Sequence, residues 1–301
     1  MTLKITIDIF SGRENPVIEL TGNEAKEALE RLKPAGKLAK DAAGLPPVST
    51  LGYRGMVIEQ TGEPVKGLPK TFKLANGDMF GTRLAHRAAD ENFEEFLCNT
   101  ESLKSRTDIA KDFPKLLRKE VVALRGIRDK LPIIGTVITE PPIGTVITPI
   151  KLACPCAPLY EPAWWNVPAR QPYNNCYNYA TNYRTNTFAQ PGRAAGAMYT
   201  ALTCAAVKPA AVKDELIDSP TADNKCPGEG HLVALVIWPG VDYHWYRMNR
   251  NGKWSHKPGS TAVTNLDNGG AIISDPRTAN RGGYTQFCTF MVVMHGHIKI
   301  A

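Results

Sequence analysis

The feature that most constrains this chain is a hexapeptide repeated near its middle. Ile134-Gly-Thr-Val-Ile-Thr139 recurs as Ile143-Gly-Thr-Val-Ile-Thr148, among Pro132, Pro141, Pro142 and Pro149. Proline has no amide hydrogen and a fixed φ, so prolines at this density exclude both a helix and a central strand. Two copies are too few to stack as a solenoid. Residues 131–152 therefore read as an extended linker, and the chain is expected to fold as two parts, 1–130 and 153–301.

Composition breaks at the same place. Residues 1–130 carry 22 Lys/Arg and 19 Asp/Glu, whereas residues 131–301 carry 14 and 10. All five tryptophans and nine of the ten tyrosines lie in the second part, a contrast expected of separate domains. The first part reads as a small α/β domain. Strands are expected at Leu3–Ile9, Val17–Leu20, Met56–Glu59 and Thr71–Leu74, and helices at Asn23–Leu32, Asp90–Phe96 and Asp112–Arg128. It shows no catalytic constellation, and its expected role is to dock a protein partner or cover a cleft. The second part reads as helices followed by an antiparallel meander. Helices are expected near Ala194–Cys204 and from Pro209 to Leu216. Strands follow at His231–Trp238, Tyr243–Asn249, Lys253–Lys257, Ala271–Ser274 and Gln286–His295, with Asn251-Gly252 as a hairpin turn. The fold class is α+β.

The stretch that suggests chemistry is Asn174-Asn175-Cys176-Tyr177-Asn178-Tyr179-Ala180. Asparagine caps helices well, so a helix is expected to begin at or just before Cys176. A thiol there meets the positive end of the helix dipole and unpaired backbone N–H groups, which favour the nucleophilic thiolate and could hold an oxyanion. A cysteine hydrolase also needs an imidazole and a group to orient it. His231 opens an apolar strand; His244 and His256 follow on the next two strands, across tight turns. Two assignments stand. Either His231 is the base and His244 orients it, or His244 is the base with Asn265 or Asp267 as orienter. Asn174 and Asn175 are candidate oxyanion donors, with Trp245 and His256 lining the substrate site; Gln171, five residues before Cys176, resembles the upstream oxyanion glutamine of papain, which implies the same role for it. The competing reading is a buried structural thiol with its histidines satisfied inside the sheet. In that case the chain is a non-catalytic binding or matrix protein that stacks sugar or peptide on Trp164, Trp165, Tyr173, Tyr243, Trp245, Tyr246 and Trp254.

Other chemistries have weaker support. Cys154-x-Cys156 with Cys226 offers zinc-type ligands but lacks two separated Cys-x2-Cys pairs, so no metal is expected. Gly269-Gly270 and Gly282-Gly283 lack a strand–loop–helix setting, and no cofactor is expected. The net charge of +7 comes without a dense basic run, which argues against nucleic acid. No apolar run of about 18 residues marks a membrane span. The alternating start, Met1 to Ile9, reads as a strand and not a secretion signal, so a cytoplasmic protein is expected, with non-classical export as the other route. Seven cysteines leave at least one unpaired, and in a reducing compartment most should be thiols, Cys204, Cys226 and Cys288 among them as small buried residues.

A helix-borne cysteine followed by a sheet carrying histidine resembles the papain-like superfamily. Gly230-His231-Leu-Val-Ala-Leu-Val, with His244 after it, narrows the likeness to NlpC-type and CHAP-type cell-wall hydrolases over roughly residues 170–295. Asn175 stands where an NlpC-type cysteine is usually preceded by aspartate. The resemblance implies a papain-like fold for the second part and a peptide, peptidoglycan-like or other amide substrate. Asn174–Ala180, His244-Trp-Tyr-Arg and Trp254-Ser-His-Lys-Pro-Gly259 also resemble a group of microbial proteins that includes mollusc insoluble shell-matrix proteins, which implies no activity.

Overall fold

The computed structural model describes residues 2–32, 49–62, 65, 67–75, 78–80, 85–87, 93–106, 109, 112–128 and 153–301. The repeat, expected to be a linker, lies outside the described residues. Contacts divide the chain into two compact units, Met1–Phe10 with Glu14–Gly126, and Ser11–Arg13 with Ile127–Ala301. Each is a mixture of helices and antiparallel sheet, in keeping with the α+β expectation. No described helix is long and apolar enough to cross a membrane.

The first unit is built on strands β1 (Thr2–Ile7), β2 (Val17–Leu20), β3 (Met56–Thr61), β4 (Thr71–Ala75), β5 (Asp78–Phe80) and β6 (Ala85–Arg87), in sheet order β2-β1-β3-β4-β5-β6. Side chains alternate across a strand, so Leu3, Ile5 and Ile7 of β1 all enter the core, with Ile5 between Ile18 and Ile58. Helices α1 (Gly22–Arg31), α2 (Phe93–Asn99), α3 (Glu101–Lys104) and α4 (Phe113–Arg128) add Ala25, Ala28, Leu97, Leu103 and Leu117. A cluster of one carboxylate and two cations punctuates this core. Asp8 bonds Arg54 at 2.7 Å and Lys73 at 2.9 Å. Burial by itself raises the Asp8 pKa, but the two cations outweigh it and hold the carboxyl well below its usual range.

The second unit begins with helix α5 (Pro162–Trp165) and a 3-10 turn at Gln171–Tyr173, followed by α6 (Cys176–Thr181) and α7 (Cys204–Lys213). Its sheet has the order β10-β9-β8-β11-β7, all antiparallel, from β7 (Ile217–Asp218), β8 (His231–Trp238), β9 (Asp242–Met248), β10 (Trp254–His256) and β11 (Gln286–Val293). β8 is buried along its whole length because both faces are covered, as its unbroken apolar run requires. Three expectations are corrected here. No helix forms over 194–203, where Gly192 and Gly196 take positive φ and turns follow. Pro209 lies inside α7 rather than opening a helix. Residues 271–274 contribute only one isolated bridge, Leu266 to Ile272.

Two disulfides tie the unit together, Cys154–Cys226 and Cys204–Cys288. This corrects the expectation that most cysteines are thiols. Sequence separations of 72 and 84 residues hid the pairing from any local reading. Loops of that length lose about 4 kcal/mol of unfolded-state freedom per bridge on a chain-entropy account.

Candidate functional site

Helix α6 begins where its capping residues dictate. The Asn175 side chain accepts from Tyr177 N at 3.0 Å and Asn178 N at 3.1 Å, and Asn178 Oδ1 accepts from Asn175 N at 3.2 Å. This reciprocal cap puts Cys176 at the first helical position, as expected. It also occupies the Tyr177 and Asn178 N–H groups, which the expectation left free for an oxyanion.

The thiol itself is sealed. Cys176 has no exposed surface and packs with Tyr177, Leu235, Tyr243 and Trp245 in one apolar cluster. Burial drives its pKa well above the ordinary value, and the Asp242 carboxylate raises it further. Backbone hydrogen bonding at Trp245 and the charge of Lys257 pull the other way and lose. The magnitudes explain the outcome. A helix terminus is worth about 0.3–1 kcal/mol to a charge, whereas full burial can shift a pKa by about 3–5 units. The expected thiolate is therefore corrected to an inert thiol.

The histidines are engaged elsewhere. His231 reaches the far end of α6, with Nε2 donating to Ala180 O at 2.7 Å, and burial pushes its pKa down to about 3. His244 lies opposite Val236 on β8. Alternation along β9 sends Tyr243 and Trp245 toward Cys176 and His244 and Tyr246 to the opposite face. There His244 Nε2 lies 2.8 Å from His256 Nδ1, and His256 Nε2 donates to Leu266 O at 3.0 Å. Because that carbonyl only accepts, the tautomer with the hydrogen on His256 Nε2 leaves its Nδ1 to accept a hydrogen bond from His244 Nε2, and the pair ends on backbone. Tyr246 stacks on His256, and the Tyr284 ring lies 5.7 Å from His244. No hydrogen bond joins Cys176 to an imidazole among the described residues.

The remaining candidates shape the backbone. Asp267 accepts from Gly269 N, Ala271 N and Asn280 N and so organises a loop. Asn265 O accepts from Ile273 N. Asn174 clamps the Arg170 carbonyl and Asn186, and Gln171 O accepts from Lys257 Nζ. Trp245 is core. Of the seven aromatics expected to form a cleft, Trp165, Tyr243, Trp245, Tyr246 and Trp254 are buried, which corrects that expectation; Trp164 and Tyr173 are exposed. Asp242 and Gln190, neither of them among the candidate site residues, are both buried and both bonded to Ser11–Arg13. The available signal was a carboxylate at the head of an apolar-aromatic strand, a place where only a strongly hydrogen-bonded charge is tolerated.

No family model matches the chain, and no solved structure does. A relative does: insoluble matrix shell protein 1 of Ruditapes philippinarum is 48% identical over 140 residues, which span 91% of that protein and 46% of this chain. A matrix shell protein as relative, with the thiol sealed, overturns the expectation of a papain-like cysteine hydrolase, peptidase or amidase. It overturns the cytoplasmic expectation as well, and the two disulfides agree, since such bridges persist in oxidising surroundings. Over the matched stretch, this chain belongs to the family of insoluble matrix shell protein 1.

Proposed function

We propose that this chain is a non-catalytic matrix protein that acts by binding, in an oxidising compartment, on a disulfide-stapled scaffold. The observation that carries this reading is the Cys176 sulfur, closed inside hydrocarbon with the three sheet histidines engaged elsewhere. The name of the relative supports it. The side chains that suit a sugar or peptide partner are the exposed Trp164 and Tyr173, with the Arg170 guanidinium 4.1 Å from the Trp164 ring centre. Arg170 Nη1 also donates to Trp164 O at 2.6 Å, which fixes the cation over the ring.

Co-sedimentation with an insoluble polysaccharide, and separately with an insoluble protein matrix, tests both halves of the reading. Cys176→Ala should sediment like the wild type. Trp164→Ala/Tyr173→Ala should lose about tenfold in apparent affinity, as expected when exposed aromatic anchors are removed. A folded Cys176→Ala chain that no longer sediments would end the non-catalytic reading.

A further inference from the structure

Residues Ser11–Arg13 group with the second unit, although at least 160 positions, by the bonds to Asn175, separate them from the side chains that hold them. The Asp242 carboxylate accepts three consecutive amides: Ser11 N at 2.5 Å, Gly12 N at 3.1 Å and Arg13 N at 3.2 Å. The Tyr284 hydroxyl donates to the same carboxylate at 2.6 Å. On the other side, the Gly12 carbonyl accepts from Asn175 Nδ2 at 2.7 Å and Gln190 Nε2 at 2.8 Å, and the Tyr243 hydroxyl lies 3.0 Å away. Tyr199 donates to Gln190 Oε1 at 2.9 Å, which sets the amide so that its nitrogen faces Gly12. Arg13 Nη1 donates to Val241 O at 3.1 Å. Asp242, Asn175, Gln190, Tyr243 and Tyr284 are all buried.

The middle residue is dictated. A Cβ on Gly12 would lie 2.5 Å from the Tyr243 ring and 2.6 Å from the Tyr243 carbonyl oxygen. Backbone cannot step aside as a flexible side-chain tip can, so only glycine fits. The cradle thus reads main chain by its N–H groups and its carbonyl, and reads the side chain by exclusion, as peptide-recognition sites do. Emptied, it would strand a buried carboxylate on Tyr284 alone, a costly state, while the Asn175 and Gln190 amides would keep only their bonds to Phe188 O and Ala189 O.

We propose that the second unit carries a binding site for a glycine-centred Ser-Gly-Arg segment, filled by the chain's own residues 11–13 and able to take the same segment from a second copy. Exchange of an identical segment between copies preserves every bond and needs no new surface. The site shares no residue with Trp164, Arg170 and Tyr173, so the two proposals stand or fall apart.

Complementary full-length variants test it. Gly12→Ala blocks the segment and spares the cradle; Asp242→Asn spares the segment and disables the cradle. In sedimentation velocity each alone should be monomeric, and the mixture should form a heterodimer. Gly12→Ala/Asp242→Asn mixed with Asp242→Asn should form none. A synthetic peptide of residues 8–16 should dissociate the heterodimer, and the same peptide with alanine at position 12 should not. Folded variants that stay apart at about 100 µM, or that associate regardless of Gly12, overturn the proposal. If either variant does not fold, the wild-type chain is photolabelled with the peptide carrying a photoreactive group at its amino terminus. Labelling of the strand holding Asp242 should exceed that by the alanine peptide about tenfold; equal labelling overturns the proposal.

Discussion

The two faces of the second sheet are one residue apart along β9 and chemically opposite. One carries Tyr243 and Trp245 onto Cys176, Leu235 and Val233 and is apolar. The other carries Asp242, which accepts from Tyr284, His244, which bonds through His256 to a backbone carbonyl, and Tyr246, which stacks on His256. The difference teaches that a cysteine and a histidine can both border β9 and still be separated by the sheet's pleat. On the apolar face, stability comes from exclusion of water, and a thiol joins as a small hydrophobe. On the polar face it comes from the hydrogen bonds that tie His244 to His256 and His256 to backbone, which hold both imidazoles within the sheet.

The largest test strips one anchor from each face. Trp245→Ala should cost about 3–5 kcal/mol, the range for a large aromatic removed from a packed core. His256→Ala should cost about 1–3 kcal/mol, since it leaves a buried His244 donor short of an acceptor. Urea midpoints at constant slope would measure both, and equal costs would remove the contrast.

The next effect is on acid stability. Burial pushes His231 down to about 3, with Arg247 and the nearby His295 adding to the shift, whereas the unfolded side chain titrates near 6.5. Between these values the unfolded chain binds more protons than the folded one. Stability is therefore fully present above about pH 6.5 and declines as the pH falls toward 3. His231→Gln, which keeps a donor for Ala180 O, should flatten the urea midpoint between pH 7 and 4; an unchanged slope would remove His231 from the account.

The smallest effect separates the thiols. Cys156 is exposed and Cys176 buried, so iodoacetamide should label Cys156 in the native chain and reach Cys176 only with urea. Cys176→Ala should cost about 1 kcal/mol, as a small buried group does. Rapid native labelling of Cys176 would restore a reactive thiol and collapse the comparison.

Much of the fold was legible. The unbroken apolar run at His231–Trp238 gave β8 residue for residue, and Asn251-Gly252 marked the turn before β10, with Gly252 at positive φ. The start of α6 at Cys176 followed from the asparagines before it, whereas the reciprocal bond to Asn178 did not. The functional reading of that start was misled, because capping groups that announce a helix terminus also fill it.

The sequence by itself determined the local elements: period-2 strands, the asparagine cap, the glycine turns. These depend on neighbours within a few residues, where propensity and hydrogen bonding act directly. Tertiary structure alone decided that Cys176 is sealed, that Cys154 finds Cys226 and Cys204 finds Cys288, and that Ser11–Arg13 lies against Asp242. Each of these turns on desolvation or on partners more than seventy residues away, and a pattern read along the chain carries no distance across it.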